Sequence, residues 1–270
     1  MYVVKKIERV SSGLADLDQL IDGGYPAGHT MLITGTTGTC KTILGLHFIT
    51  KACMGERKCY LIATEEDNKD LIAQAEALSM PLCEYFKNKA VGIDRVYYER
   101  TEYTLAMKRY DIINTMDQLQ SDMIGLLDRI PKDTQCVLID NIGTFTLNLS
   151  VNEFRAQFDT LVHGLAKRRI TSVIVMDSAS NDRVGGVAAY AVYGVIIVKM
   201  KDDMDDMFTK SNKVKRFMRI LKIRNTNILI DNMEFDITPK GIVLLTPSIL
   251  LAPEQDKEVD TTVFLKNEKA

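Results

Sequence analysis

The chain has 270 residues, 46% of them hydrophobic, with 34 Lys and Arg against 36 Asp and Glu and a formal net charge of −2. That length suits one large domain, or one domain plus a tail, because single cores usually stop growing near about 250–300 residues. The balanced charge lacks the basic excess expected of a nucleic-acid-binding domain, and five cysteines without a CxxC pair argue against a disulfide framework or a zinc site and for reduced thiols in a reducing compartment.

The N-terminal MYVVKKIERVSSG has neither the long apolar stretch nor the small-residue cleavage site of a secretory signal. Met31–Thr34 is a short apolar run that meets a glycine-rich loop, and Thr42 to Cys53 carries Leu44, Phe48 and Ile49 at helical spacing. Cys59–Ala63 reads as a buried strand and Asp67 to Leu78 as a helix with Leu71, Ile72, Ala75 and Leu78 inward. A longer helix is expected from Asp111 to Ile130, stopped by Pro131. Cys136–Ile139 is another apolar strand, Ser150 and Glu153 form a capping box for the next helix, and Ser172–Met176 is a fourth strand.

Strands alternating with helices predict an α/β fold with a mainly parallel sheet covered on both faces. After residue 190 the pattern changes. Val195–Met200, Arg216–Arg224, Met233–Ile237 and Ile242–Leu245 read as strands without intervening helices, added antiparallel to one edge. The longest uncharged run, Val184 to Val198, is too short for the ~20 residues of a membrane span, and its Gly185, Gly186 and Gly194 read as loop and strand punctuation. A cytoplasmic protein is expected, with one domain over residues 1–246 and a tail over 247–270.

The strongest chemical signal is Gly35-Thr-Thr37-Gly38-Thr39-Cys40-Lys41-Thr42, which matches the P-loop pattern GxxxxGK[ST] with Cys40 in place of the second motif glycine. A strand precedes it and a helix follows. In such a loop, backbone N–H groups and the helix N-terminus cradle phosphates, Lys41 reaches the β- and γ-phosphates, and Thr42 ligates magnesium. Cys40 adds a Cβ where glycine lets the backbone approach the phosphates. Two readings follow, a tolerated substitution with some loss of affinity, or a thiol activated by the helix N-terminus and Lys41 as a redox brake.

Asp140 ends the apolar run CVLI, the Walker-B arrangement that holds magnesium, although an Asp in that place also serves as a cap or turn residue. Glu65 and Glu66 follow CYLIAT at the carboxyl end of a strand, where ligands of open α/β sheets sit. One of them can orient the water that attacks the γ-phosphate, and Glu65 is favoured; both can also serve the dipole of the following helix. Lys222 and Arg224 share one strand face, either as a solvated edge or in reach of a neighbouring subunit's phosphate.

Residues 11–42, with Gly13-Leu14…Leu17-Asp18, Gly23-Gly24 and Pro26-Ala-Gly28 leading into the P-loop, resemble the KaiC-like branch of RecA-type ATPases. The family's paired glutamates match Glu65 and Glu66, its Walker-B aspartate matches Asp140, its LKLR-x-T strand resembles Leu221–Thr226, and its closing ITxxGI resembles Ile237–Ile242. The resemblance covers roughly residues 10–246. It implies a RecA-like core, a ring of identical copies, commonly a hexamer, and Mg-ATP between subunits. The nucleotide would meet Gly35, Thr37, Gly38, Thr39, Cys40, Lys41, Thr42 and Ile43 of one subunit and Lys222, Ile223, Arg224 and Thr226 of the next. Cys40, Ile228 in place of a base-contacting histidine, and a stretch Val187–Gly194 without acids depart from the family pattern.

Three functions fit. The first is a slow Mg-dependent ATPase whose ring signals its nucleotide state to a protein partner, favoured by Lys41, Asp140 and Glu65. The second is a non-hydrolysing nucleotide-binding scaffold that regulates a partner, as in single-domain relatives that act on archaeal motility motors, favoured by Cys40. The third is a DNA recombinase or helicase with Ser178–Gly186 as a pore loop. That loop offers only Arg183 and no aromatic platform for bases, so no nucleic-acid partner is expected.

Overall fold

The computed structural model describes residues 7–94, 96, 123–146, 149–178, 182–202, 214–228 and 231–245. β1 (Arg9–Val10) and β2 (Tyr25–Pro26) pair antiparallel around α1 (Ala15–Leu20). The Asp18 carboxylate fixes this lead-in by accepting the Ser12 N–H at 2.7 Å and the Ser11 hydroxyl. Then follow β3 (Thr30–Gly35), α2 (Lys41–Met54), β4 (Cys59–Ala63), α3 (Asn68–Ala77), α4 (Leu82–Lys87) and β5 (Val91–Asp94). After residue 123 come α5 (Leu126–Arg129), β6 (Cys136–Asp140), a 3-10 turn (Ile142–Phe145), α6 (Val151–Lys167), β7 (Thr171–Asp177), α7 (Asp182–Ala191), β8 (Gly194–Asp202), β9 (Val214–Ile223), β10 (Asn232–Thr238) and β11 (Gly241–Leu244).

The main sheet has the order β11-β10-β9-β8-β3-β7-β6-β4-β5. From β8 to β5 neighbours are parallel, and from β8 to β11 they are antiparallel. Successive strand residues face opposite layers, as period-2 geometry demands. Ile33, Leu61, Leu138, Val173 and Val175 pack with Leu44, Phe48 and Ile49 of α2. Leu32, Ile62, Val137, Ile139 and Ile174 pack with Phe154, Phe158, Leu161 and Leu165 of α6. The two α6 rings stack with centroids 5.2 Å apart, and burying each stabilises the layer by about 1.5–3 kcal/mol.

The mainly parallel, two-faced sheet with an antiparallel edge agrees with the expectation, and the Ser150–Glu153 capping box is formed. Some details differ. β8 runs parallel to β3 and is antiparallel only to β9, so it belongs to both halves of the sheet. Gly185 and Gly186 do not break the chain; they lie inside α7, where a Cβ on either would meet open space. Val184 and Ala188 are buried within it and Val192 just past its end, a helical spacing hidden in an uncharged run. Of the helix expected over 111–130, residues 111–122 lie outside the described residues, and Leu126–Arg129 is helical before Pro131. The tail, 247–270, also lies outside them. Among the described residues no helix is long and apolar enough to cross a membrane.

The sheet places its crevice by topology. β3 leaves through α2 on one face, while its neighbour β7 leaves through α7 on the other. Such a switch point opens a cleft beyond the carboxyl ends of the two strands. Gly35 and Asp177, which end these strands, are register partners there.

Candidate nucleotide-binding site

The loop between β3 and α2 is built as its composition requires. Gly35 lies so close to β8 that a Cβ would come within 2.2 Å of the Val198 carbonyl oxygen. The Thr39 hydroxyl donates to the Thr36 carbonyl at 2.7 Å and closes the loop on itself. Thr37 and Gly38 face outward. Cys40 is the N-cap of α2 and takes a left-handed conformation, φ 72°, ψ 28°. That conformation is the reason glycine suits this position. The N–H groups of the first helical turn, Lys41 to Ile43, have no carbonyl within the helix to bond and so suit an anion.

The candidate side chains converge on this loop. The Thr42 hydroxyl bonds the buried Asp140 carboxyl, whose burial, with Glu66 and Glu65 nearby, pushes it up to about 7 against the opposing pull of Thr42 and Lys41. Lys41 is itself buried, donates to the Thr36 carbonyl at 2.8 Å and pairs with Asp177 Oδ1 at 2.6 Å. Glu65 is held above the usual carboxylate range by burial, by Asp177 and by Glu66, while a bond from Asn141 and the charge of Lys41 work the other way. Glu66 is instead engaged by the Gln74 amide of α3. The two glutamates therefore differ, with Glu65 turned to the Asn141–Asp177–Lys41 group and Glu66 tied to Gln74 of α3 while its charge still acts on Asp140.

Asn141 is anchored from several sides. Its N–H and carbonyl both bond the Thr64 hydroxyl, its Oδ1 accepts the Gly143 N–H at 2.7 Å, and its Nδ2 donates to Asp177 Oδ2 at 3.1 Å. Asp177 and Asn141 adjoin these candidates and were missed by the sequence reading. Asp177 ends the apolar run SVIVM just as Asp140 ends CVLI, so the signal was present. Arg216 of β9 was also missed as a neighbour of the loop. It bonds the Cys40 thiol and lies 3.8 Å from Asp236. Burial pushes the Cys40 thiol up, outweighing Arg216 and Lys41. That direction is opposite to the activated thiolate required by the redox-brake reading.

The structure does not bring Lys222, Ile223, Arg224 and Thr226 to this loop. Arg216, opposite Met200 at the carboxyl end of β8, is near it, but Ile223 pairs with Gly194 at the other end, so Arg224 is removed by roughly 25 Å of strand. Lys222 Nζ donates to the Val192 carbonyl at 2.9 Å, and Arg224 Nη2 to the Tyr190 carbonyl at 3.3 Å. Both cations thus face one way and hold the carbonyls at the end of α7, a favourable place for positive charge. Ser178–Gly186 is not one loop either, because from Asp182 onward it is helix; residues 179–181 lie outside the described residues.

A family model described as the KaiC ATPase matches residues 10–248. The chain belongs to the KaiC ATPase family. Among its KaiC-type relatives, the circadian clock protein KaiC2 of a Synechocystis strain is 24% identical over 68% of this chain, and the match spans 29% of that longer protein. The KaiC clock oscillator protein of Synechococcus elongatus is 31% identical over 59% of this chain and 28% of its own length. A UPF0273 protein of Thermotoga maritima is 28% identical and matches nearly end to end, over 88% of this chain and 96% of its own. The crystal structure of the KaiC-like protein PH0186 from Pyrococcus horikoshii superposes with a TM-score of 0.67 at 24% identity, covering 89% of this chain and all of that one, which shows a shared fold.

Proposed function

We propose that this KaiC domain binds ATP with magnesium at residues 35–43 and hydrolyses it slowly, in a cytoplasmic ring of identical copies, in keeping with a hexamer, that reports its nucleotide state to a protein partner. In this reading residues 1–246 are the nucleotide-binding unit. The observation that carries it is the convergence of Lys41, Thr42, Asp140 and Glu65 beyond the carboxyl ends of β3, β6 and β4.

The donor set suits the cofactors. The Thr42 hydroxyl and the Asp140 carboxyl are hard oxygen ligands in hydrogen-bond contact, which is the chemistry magnesium selects. Bound magnesium would supply charge neutralisation at the β- and γ-phosphates. Lys41 would bind the same phosphates, and the first turn of α2 would orient them through its N–H groups. Glu65, raised by its surroundings, is suited to hold the attacking water and take its proton. The left-handed Cys40 favours a second reading, a scaffold that binds nucleotide and turns it over little, because a Cβ stands where the backbone should approach the phosphates.

Titration of Mg-ATP into the full chain and its Lys41→Met variant, with phosphate release on the same samples, tests this. The variant keeps the side-chain volume and loses the charge. It is expected to weaken binding severely and to release no phosphate. Equal affinity in both proteins would remove the P-loop assignment, and tight binding without phosphate release in the parent would select the scaffold.

A further inference from the structure

The Lys41 ammonium, which the proposed function assigns to ATP, already has an anion. Asp177 Oδ1 lies 2.6 Å from Nζ, with the Lys41 side chain 8% exposed and that of Asp177 28%. The carboxylate is held rigidly. Its residue is in register with Gly35 at the root of the P-loop, and the Ser178 N–H bonds the Gly35 carbonyl at 3.0 Å. Asn141 grips its other oxygen, and Asn141 is itself anchored to Thr64 and Gly143. Two strands and an amide thus hold the carboxylate against Lys41.

We propose that Asp177 is an internal competitor for Lys41, a built-in anion that holds the P-loop lysine in the nucleotide-free site and raises the nucleotide concentration needed to fill it. This rests on the reading of residues 35–43 as a phosphate site. Phosphate must draw Lys41 off Asp177 and then lie beside a second negative charge, since Asp177 also acts electrostatically on Glu65 across the same cleft. Both effects oppose binding. The competition therefore sets affinity, while Glu65 and Asp140 carry their own roles. An ion pair formed about nine parts in ten of the time lowers apparent affinity about tenfold.

Asp177→Asn keeps the shape and the Asn141 contact side while removing the charge. Calorimetric titration of Mg-ATP and Mg-ADP into the full chain is expected to show binding at least about tenfold tighter in this variant. A gain of affinity cannot arise from damage to the fold, so it separates competition from a structural role. Unchanged or weaker binding would overturn the proposal. The ion pair is tested without nucleotide by melting the parent, Lys41→Met, Asp177→Asn and the double variant. Coupled, non-additive shifts are expected, and additive shifts would overturn the proposal. Coupled shifts in a parent chain that binds neither nucleotide would instead refute the phosphate-site reading, so the two failures are distinct.

Discussion

At the scale of single residues, Cys40 shows how a motif departure becomes a measurable cost. A non-glycine residue at φ 72° is strained by about 1 kcal/mol, and its Cβ crowds the approach to the phosphates. Cys40→Gly is expected to raise thermal stability by up to that amount and to tighten Mg-ATP binding, equally in reduced and oxidised buffer, because the thiol is raised rather than activated. Weaker binding in a calorimetric titration would mean that the loop is rebuilt around the thiol and its Arg216 contact. Much of the candidate site was legible at this scale. Lys41, Thr42, Asp140 and Glu65 each follow an apolar strand, and strand ends are where such folds collect chemistry. Asp177 carried the same mark but no motif to draw attention to it. The Asn141 and Arg216 contacts arise from strands far apart in sequence, and no local pattern reports them.

At the scale of elements, strands with a hydrophobic face on each side were plain in the sequence, because burial on both faces leaves an unbroken apolar run. Cys59–Ala63 coincides with β4 for that reason. β5 was missed because Val91-Gly-Ile-Asp94 is short and carries a glycine and an acid, and α7 was missed because two glycines masked its helical period. The closing hairpin has its own logic. Gly241 turns at φ 91°, where a Cβ would lie 2.2 Å from His47 Nε2, and that nitrogen accepts the Ile242 N–H at 3.0 Å. His47 must be neutral to accept, and burial lowers it from 6.5 to about 4. Below the unfolded value the unfolded chain gains a proton that the folded chain refuses, so stability falls as pH drops from 6.5 to about 4. At about 1.4 kcal/mol per pH unit the full loss is roughly 3.5 kcal/mol. Asp140 titrates with the opposite sign over an overlapping range, so the informative quantity is the difference between variant and parent. His47→Gln is expected to lose less melting temperature than the parent on acidification through that window. Parallel melting curves in the two proteins would show that His47 does not anchor the hairpin by this route.

At the scale of the whole molecule, the question is where Arg224 acts. Within one chain it lies at the opposite end of β9 from the P-loop and holds the Tyr190 carbonyl, so it cannot serve its own site. If it only caps α7, Arg224→Ala should cost about 0.5–1.5 kcal/mol of stability and leave turnover alone. If copies assemble head to tail with this end of β9 against a neighbour's P-loop, Arg224 meets that neighbour's nucleotide. A trans-acting arginine contributes about 10³–10⁵ in rate, so its loss should abolish phosphate release while much of the ATP binding survives. The decisive measurement is mixing. Arg224→Ala chains keep a working P-loop, and Lys41→Met chains keep a working Arg224. In a head-to-tail ring assembled from equal amounts of both, about a quarter of the interfaces pair the two working halves. Activity absent from either variant alone should therefore return toward that fraction of the parental rate once subunits have exchanged. Exchange without recovery, or full turnover by a monomer in Mg-ATP, would return Arg224 to the role its present contact shows, a cation holding the end of a helix.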